Sequence, residues 1–529
     1  MHKEWRFLAA KSASGNKFDH GMAAYFPVSL EYLWRLALLS AALALGGLIL
    51  CSCSSAAAVQ TPSATLTPGQ TNTPLLPTTT STDLPVLPTA TTTDTPAPPA
   101  AASAGTNTLE TPTLSGLDTA GKYYVSPDGL DSNPGSFSKP WKTIQKAADT
   151  MVAGDTVYIR GGTYHERVTL SYHDNTSGPY ITFTPYSSEE VILDGTGIDI
   201  QHGEGLFNIL KTDYIRVSHL KIENSNGAGI NILYSNNISI DHNYTHDTVK
   251  SGISVWGGTH VVIDSNEITL ACNEHPNYPA SEENLSIAAG SSFVEVKNNL
   301  VHQAANIPDG YSGGEGINIK DGSHDIQVHN NVVHLDERTD GKKSNRLGFG
   351  LDAWSHETYN ISFYDNVAYN DATGFVIESE DGGTAHDISV YNNIAYNISG
   401  AAFNMPNWAQ NETSLKQNVT FINNTAYNSG TGIIINTVDI SNIVIRNNIF
   451  SQNTSTIQTG SGVPQAQITS DHNLTSGDPK YVNPAGGDFH LQSGSPAIDT
   501  GSSSSAPSTD FAGNPRPDNA GYDIGAYEY

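Results

Sequence analysis

An asparagine that returns at one point of a repeating pattern restricts this chain more than any other feature. Asn243, Asn266, Asn299, Asn331, Asn366, Asn393, Asn424, Asn448 and Asn473 each follow a short β-rich run, at separations of 23 to 35 residues, and most precede an apolar residue. Helical repeats do not alternate this way, and the spacing of leucine-rich repeats is absent. The period is that of a β-solenoid coil with loops of variable length. Asparagines stacked at a coil corner can bond to the copies above and below and satisfy backbone groups in the turn. The expectation is an all-β chain wound as a single-stranded parallel β-helix.

A second repeat lies inside the first. Gly316-Ile317-Asn318-Ile319-Lys320, Gly348-Phe349-Gly350-Leu351-Asp352 and Gly374-Phe375-Val376-Ile377-Glu378 align as one five-residue unit. The second and fourth positions are apolar, as an inward-facing strand requires at period two. The fifth position points outward, and there stand Lys320, Asp352 and Glu378. Stacked rungs lie about 4.8 Å apart, so these charges form a column. Continued both ways it reads Leu233, Trp256, Ala288, Lys320, Asp352, Glu378, Asn404, Asn436, with Trp354 and Trp408 slightly beyond their column positions. A Trp near one end with acids and a Lys in the middle suits a sugar platform beside a reactive centre. Long segments between Asn266 and Asn366, including NEHPNYPASEEN and DERTDGKKSNRLG, wall the cleft. Candidate substrate-binding residues are Trp256, Trp354, Glu380, Glu315 and Asn404.

The rest of the chain frames this unit. Residues 1–53 read as a signal peptide, with the apolar core LALLSAALALGGLIL after Arg35 too short for a comfortable span, and Met22 as a second candidate start. Leu50-Cys51-Ser52-Cys53 resembles the lipobox of bacterial lipoproteins, which implies acylation of Cys53; an ordinary secretory signal cleaved near Ala56 to Ala58 is the alternative. Residues 54–117 are rich in Thr, Pro, Ser and Ala and form a disordered tether. The solenoid is assigned to 118–480. Its opening, with strands near Tyr123 and Gly154–Tyr164 and a short helix over Pro140–Ala148, resembles the start of right-handed parallel β-helix proteins, where the helix caps the open end. Residues 481–529 resemble the C-terminal module called choice-of-anchor Q, through SPAID, G-x-x-R-P and DIGAYEY, and are expected to terminate the last rung.

Composition narrows the partners. The formal net charge is −28, which excludes nucleic acid and anionic membrane and repels polyanionic polysaccharides unless a cation intervenes. Three cysteines, Cys51, Cys53 and Cys272, make neither a disulfide framework nor a zinc site. The expected setting is extracellular, a monomer on a bacterial surface that meets the membrane only through an N-terminal lipid.

The column carries the chemistry. Adjacent-rung Asp352 and Glu378 match the roughly 5–5.5 Å separation of retaining glycosidases. Lys320 is expected to lower the Asp352 pKa and leave the raised value to Glu378. The pair resembles that of the β-helix β-xylosidases of glycoside hydrolase family 120, which implies a nucleophile and an acid/base and no required cofactor. From Lys122 to Asn473 the coils also resemble the family 9 polysaccharide lyases of the pectate-lyase group, which implies β-elimination with Lys320 as base and Ca²⁺ held by Glu315 and Asp352. The Asp-Asp pair of those lyases is missing from Arg346-Leu347-Gly348-Phe349-Gly350. Two further readings are a carbohydrate-binding or adhesive solenoid, and a charged ladder kept for solubility. Loops that swell around one column favour an enzyme on polysaccharide or oligosaccharide.

Overall fold

The computed structural model describes residues 121–171, 178–200, 203–273, 283–302, 315–335, 346–407 and 414–529. The leader, Cys53, the Thr/Pro tract and Trp408 lie outside them. Among the described residues the chain winds as a parallel β-helix with three long sheets of 13, 11 and 11 strands. Each coil gives one strand to each sheet in turn, as Thr358–Tyr364, Val367–Tyr369 and Thr373–Glu378 do. Its strands then pair in parallel with those of the next coil.

The interior is a continuous stack of aliphatic and aromatic side chains, because residues two apart on each strand face inward. Under the five-residue units, the ring of Phe375 stacks on Phe349 at 4.7 Å and on Phe403 at 5.2 Å between centroids. At the N-terminal end Trp141 and the helix Ile144–Ala148 enter this core, with Thr143 capping the helix and Glu166 accepting from the Ile144 and Gln145 N–H groups.

The asparagine corner is built as expected. Asn331 Oδ1 accepts from the backbone N–H and the side-chain amide of Asn299, both at 2.9 Å. Its own amide donates to Val296 O, His329 O and Asn366 Oδ1. The same link runs from Asn243 to Asn473. The residue before each of these has left-handed φ, as at Asn298, Asn330, Asn392, Asn423 and Asn447, a region Asn enters more readily than other side chains. That explains the repeated Asn-Asn doublets.

The C-terminal residues take a different place from the one expected. Tyr481, Phe489, Leu491, Ile524 and Ala526 pack on Ile394 and Ile449 at the flank of the sheet that holds Val367–Tyr369. The Asn423 amide donates to Asp523 O and Gly525 O, and Gly525 N–H donates to Asn447 O. The module therefore closes the side of the last coils at the asparagine corner, where Ile394 and Ile449 are buried beneath it.

Replacing Asn331 by Ala orphans several buried backbone and amide groups, each costing about 1–3 kcal/mol. Urea unfolding should show a clearly lower midpoint than the parent chain; an unchanged midpoint would mean that the ladder contributes nothing.

Candidate functional site

Each five-residue unit opens on a glycine for a steric reason. A Cβ on Gly316 would meet Gly348 O at 2.2 Å and Val333 Cγ1 at 2.6 Å, and one on Gly374 would meet Ala402 O at 2.5 Å. Only glycine lets the chain turn at this radius from the sheet that holds Val367–Tyr369 into the one that holds Thr373–Glu378. The strand that follows buries its apolar pair, Ile317 and Ile319, Phe349 and Leu351, or Phe375 and Ile377, and sends the fifth residue outward.

Register places Lys320 beside Asp352 and Asp352 beside Glu378. Upstream, Leu233, Trp256 and Ala288 share the row. Downstream the expected column is wrong by one outward position: Asn404 pairs with Val376, not Glu378. The coil between Phe375 and Phe403 is two residues longer than the one before it, and two residues preserve the face while shifting the row.

The column is outward but not solvated. Asp352 and Glu378 are each 1% exposed, which rules out a ladder kept for solubility. Asp352 Oδ1 accepts from Trp354 N–H at 2.8 Å and Glu380 N–H at 3.2 Å. Its Oδ2 lies 3.8 Å from Lys320 Nζ and has no hydrogen bond. Glu378 Oε2 has no partner either. Lys320 Nζ donates to Glu283 Oε1 at 2.8 Å and lies 5.7 Å from the centre of the Trp354 ring. Glu315 sits at the head of its strand, bonded by the Asn318 amide.

Protonation follows from burial and crowding. Burial, then the neighbouring Glu315, Asp352 and Glu380, push the Glu378 carboxyl up to about 9 against the pull of Lys320. Burial and Glu283 push Glu315 up to about 7. Asp352 is also raised, because burial outweighs the two backbone donors and Lys320; the expected lowering does not occur. The order within the pair still holds physically. Asp352 has three stabilising donors or charges and Glu378 has the weaker set, so Asp352 ionises first. Burial opposes the Lys320 ammonium, yet Glu283, Asp352 and Glu315 outweigh it and hold it above its ordinary value.

The structure thus gathers Lys320, Asp352, Glu378, Glu380, Glu315 and Trp354. Trp256 stands two rungs from Lys320, about 10 Å away by rung spacing, and is 46% exposed. Two residues escaped the sequence reading. Glu283 occupies the strand-opening position in register with Glu315, a signal present in the repeat. Lys416 is fully buried and comes from a later coil; its ammonium donates to Ser414 O and Oγ, and burial pulls it down to about 8 against the attraction of Glu378, Asp439 and Asp352. No local pattern announces it.

Glu315 and Asp352 do not fit a Ca²⁺ site, which needs six to eight oxygens. The Lys320 ammonium stands among these carboxylates, and among the described residues the group of three metal-capable side chains within 4.8 Å of one another is elsewhere, at His219, Asp241 and His242.

Fold and groove define a pectate-lyase-like β-helix with a buried carboxylate cluster on one sheet. The chain belongs to the Pel9A-like right-handed β-helix family, whose description matches residues 123–405. It is 37% identical over 113 residues to the uncharacterized protein YwoF of Bacillus subtilis (strain 168), covering 21% of this chain and 24% of that one. It is 28% identical over 170 residues to pectate lyase PEL9 of Emericella nidulans, covering 30% and 40%. The matches thus span less than half the length of these curated relatives. Among solved structures, pectate lyase Pel9A has TM-score 0.46 at 16% identity, covering 78% of this chain and 97% of that one. XylC in complex with xylose has TM-score 0.48 at 13% identity, covering 77% and 98%.

The Glu378 pKa makes stability depend on pH. A carboxyl raised on folding contributes stability that is complete below its unfolded pKa, about 4.3, and is lost as pH rises toward the folded value of about 9. Glu378→Gln removes that loss. Its unfolding free energy should gain on the parent between pH 5 and 9 by up to about 1.4 kcal/mol per pH unit. Parallel stability curves for the two chains would show that Glu378 titrates normally.

Proposed function

We propose that this chain cleaves glycosidic bonds in an extracellular polysaccharide, as a retaining hydrolase with Asp352 as nucleophile and Glu378 as acid/base. The observation that carries the reading is the pair itself: two buried carboxylates on adjacent rungs, one held by backbone N–H groups and Lys320, the other with an unpartnered oxygen. Rung spacing of about 4.8 Å is close to the separation that retaining chemistry uses. Asp352 attacks the anomeric carbon while the bond to the leaving oxygen breaks and Glu378 gives that oxygen its proton. Glu378, now a carboxylate, takes a proton from water, and the resulting hydroxide displaces Asp352 and releases the sugar. Lys320 offsets the charge on Asp352 between turnovers, and Trp354 and Glu380 border the reacting sugar. In the same proposal Cys53 is acylated and the Thr/Pro tract holds a monomeric solenoid off the bacterial envelope.

A second reading, β-elimination with Lys320 as base, is favoured by the family and by the similarity to a protein named as a pectate lyase. Against it, Lys320 is committed to Glu283 and held in the ammonium form, so it has no lone pair to offer near neutral pH.

Asp352→Asn and Glu378→Gln should each reduce kcat on polysaccharide by about 10²–10⁴-fold or more. A substrate with an activated leaving group should partly rescue the Glu378 variant and not the Asp352 variant. Products are read together as reducing ends and as ultraviolet-absorbing unsaturated sugars. Unsaturated products would establish the lyase instead, and full activity in both variants would dismiss the pair. Separately, Cys53→Ala should move the protein from the membrane fraction into the medium; retention on membranes would dismiss the lipid anchor.

A further inference from the structure

Charge at the cluster is one-sided. Glu283, Glu315, Asp352, Glu378 and Glu380 all interact electrostatically with Lys320. On the same edge, Asp321 is paired with His356. The other basic groups nearby are turned away from a ligand: Lys416 is fully buried on Ser414, and Arg346 is buried with a donor on Leu335 O. Five carboxyl groups thus stand against the one lysine of the cluster. A polyuronate would have to lay one carboxylate per sugar along this row.

A bridging cation could relieve that repulsion, but Lys320 already occupies the centre of the cluster, 2.8 Å from Glu283 Oε1 and 3.8 Å from Asp352 Oδ2. The remote group at His219, Asp241 and His242 offers no substitute, since Arg216 grips Asp241 through both oxygens at 2.7 and 2.9 Å.

The large apolar groups exposed beside the cluster are aromatic. Trp256 and Trp354, 46% and 40% exposed, present ring faces, the first in the column and the second over Lys320. Beneath the surface beside them runs a buried row of uncharged polar side chains, Asn231, Ser254, Ser286 and Asn318, in register from coil to coil. Within it Ser286 Oγ and Asn318 Oδ1 are buried without hydrogen-bond partners. Exposed aromatic faces beside a cluster of carboxyls match the CH faces of a sugar that carries no carboxylate.

We infer that the groove takes an uncharged polysaccharide and rejects polyuronates, with Trp256 as a binding platform two rungs from Lys320. The inference rests on the reading of this site as glycan-cleaving and specifies its substrate class. It departs from what similarity to a pectate lyase suggests, for an electrostatic reason that belongs to this chain.

The test is affinity electrophoresis of the full chain carrying Glu378→Gln, at low salt, in gels containing β-glucan, linear xylan, galactan, arabinan, polygalacturonate or alginate. Each gel is run once with chelator and once with Ca²⁺. At least one uncharged polymer should retard the protein, the retardation should fall at least tenfold in apparent affinity with Trp256→Ala, and neither polyuronate should retard it in either condition. Retardation by a polyuronate with chelator present, retardation by a polyuronate only with Ca²⁺, or retardation by no polymer overturns the inference. Because binding is read without turnover, a parent chain that binds the same neutral glycan and releases no reducing ends from it would sink the hydrolase reading and leave this one standing.

Discussion

Coil-on-coil stacking through the buried asparagines is the interaction on which the rest of this structure depends. Each Asn closes the hydrogen bonds of its own corner and those of the next, so the corner needs no water and no side chain from elsewhere. Because the corner is the same in coil after coil, side chains on the adjoining sheets fall into rows at the backbone repeat of about 4.8 Å. The separation that a retaining pair requires is thus supplied by strand pairing itself. Asp352 and Glu378 need only occupy the same position in consecutive repeats.

The same position does not mean the same chemistry. After Asp352 the chain turns so that Trp354 N–H reaches back to Oδ1, and the next coil contributes Glu380 N–H to the same oxygen. No such donor reaches Glu378 Oε2. Two carboxyls of nearly equal intrinsic acidity are driven apart by a few backbone dipoles and one ammonium. Burial amplifies the difference, since in a low-dielectric setting each donor counts for more than it would in water. Lys320 then belongs to the acids as their counter-charge, and the aromatic ring of Trp354 covers it.

A cluster of this kind destabilises the fold that holds it. Crowded carboxyls keep protons at pH values where free ones would not, and Lys416, buried in the solenoid wall with its ammonium on Ser414, is drawn below its ordinary range. The surrounding rungs, with Phe349, Phe375 and Phe403 stacked beneath, supply the packing that offsets the strain.

Much of this was legible in the residues alone. The asparagine period specified a β-solenoid, and the five-residue unit placed Lys320, Asp352 and Glu378 on one face and in one row. Both signals are local: the period of two and the corner geometry act within a few residues, so sequence suffices. The glycine of each unit and the left-handed residue before each ladder asparagine are equally local. The strand-opening pair Glu283 and Glu315 was readable too, had the repeat been extended by one position. What only the tertiary structure decided depends on lengths and neighbours beyond a single coil. Asn404 falls in a different row because its coil is two residues longer. Lys416 reaches the cluster from a strand far along the chain. Asp352 and Glu378 are sealed from water although they point outward, so Asp352 is raised where an exposed carboxylate beside a lysine would be lowered. Periodicity determines direction and row; burial, and with it every pKa in the groove, is set by what packs against that row from other coils.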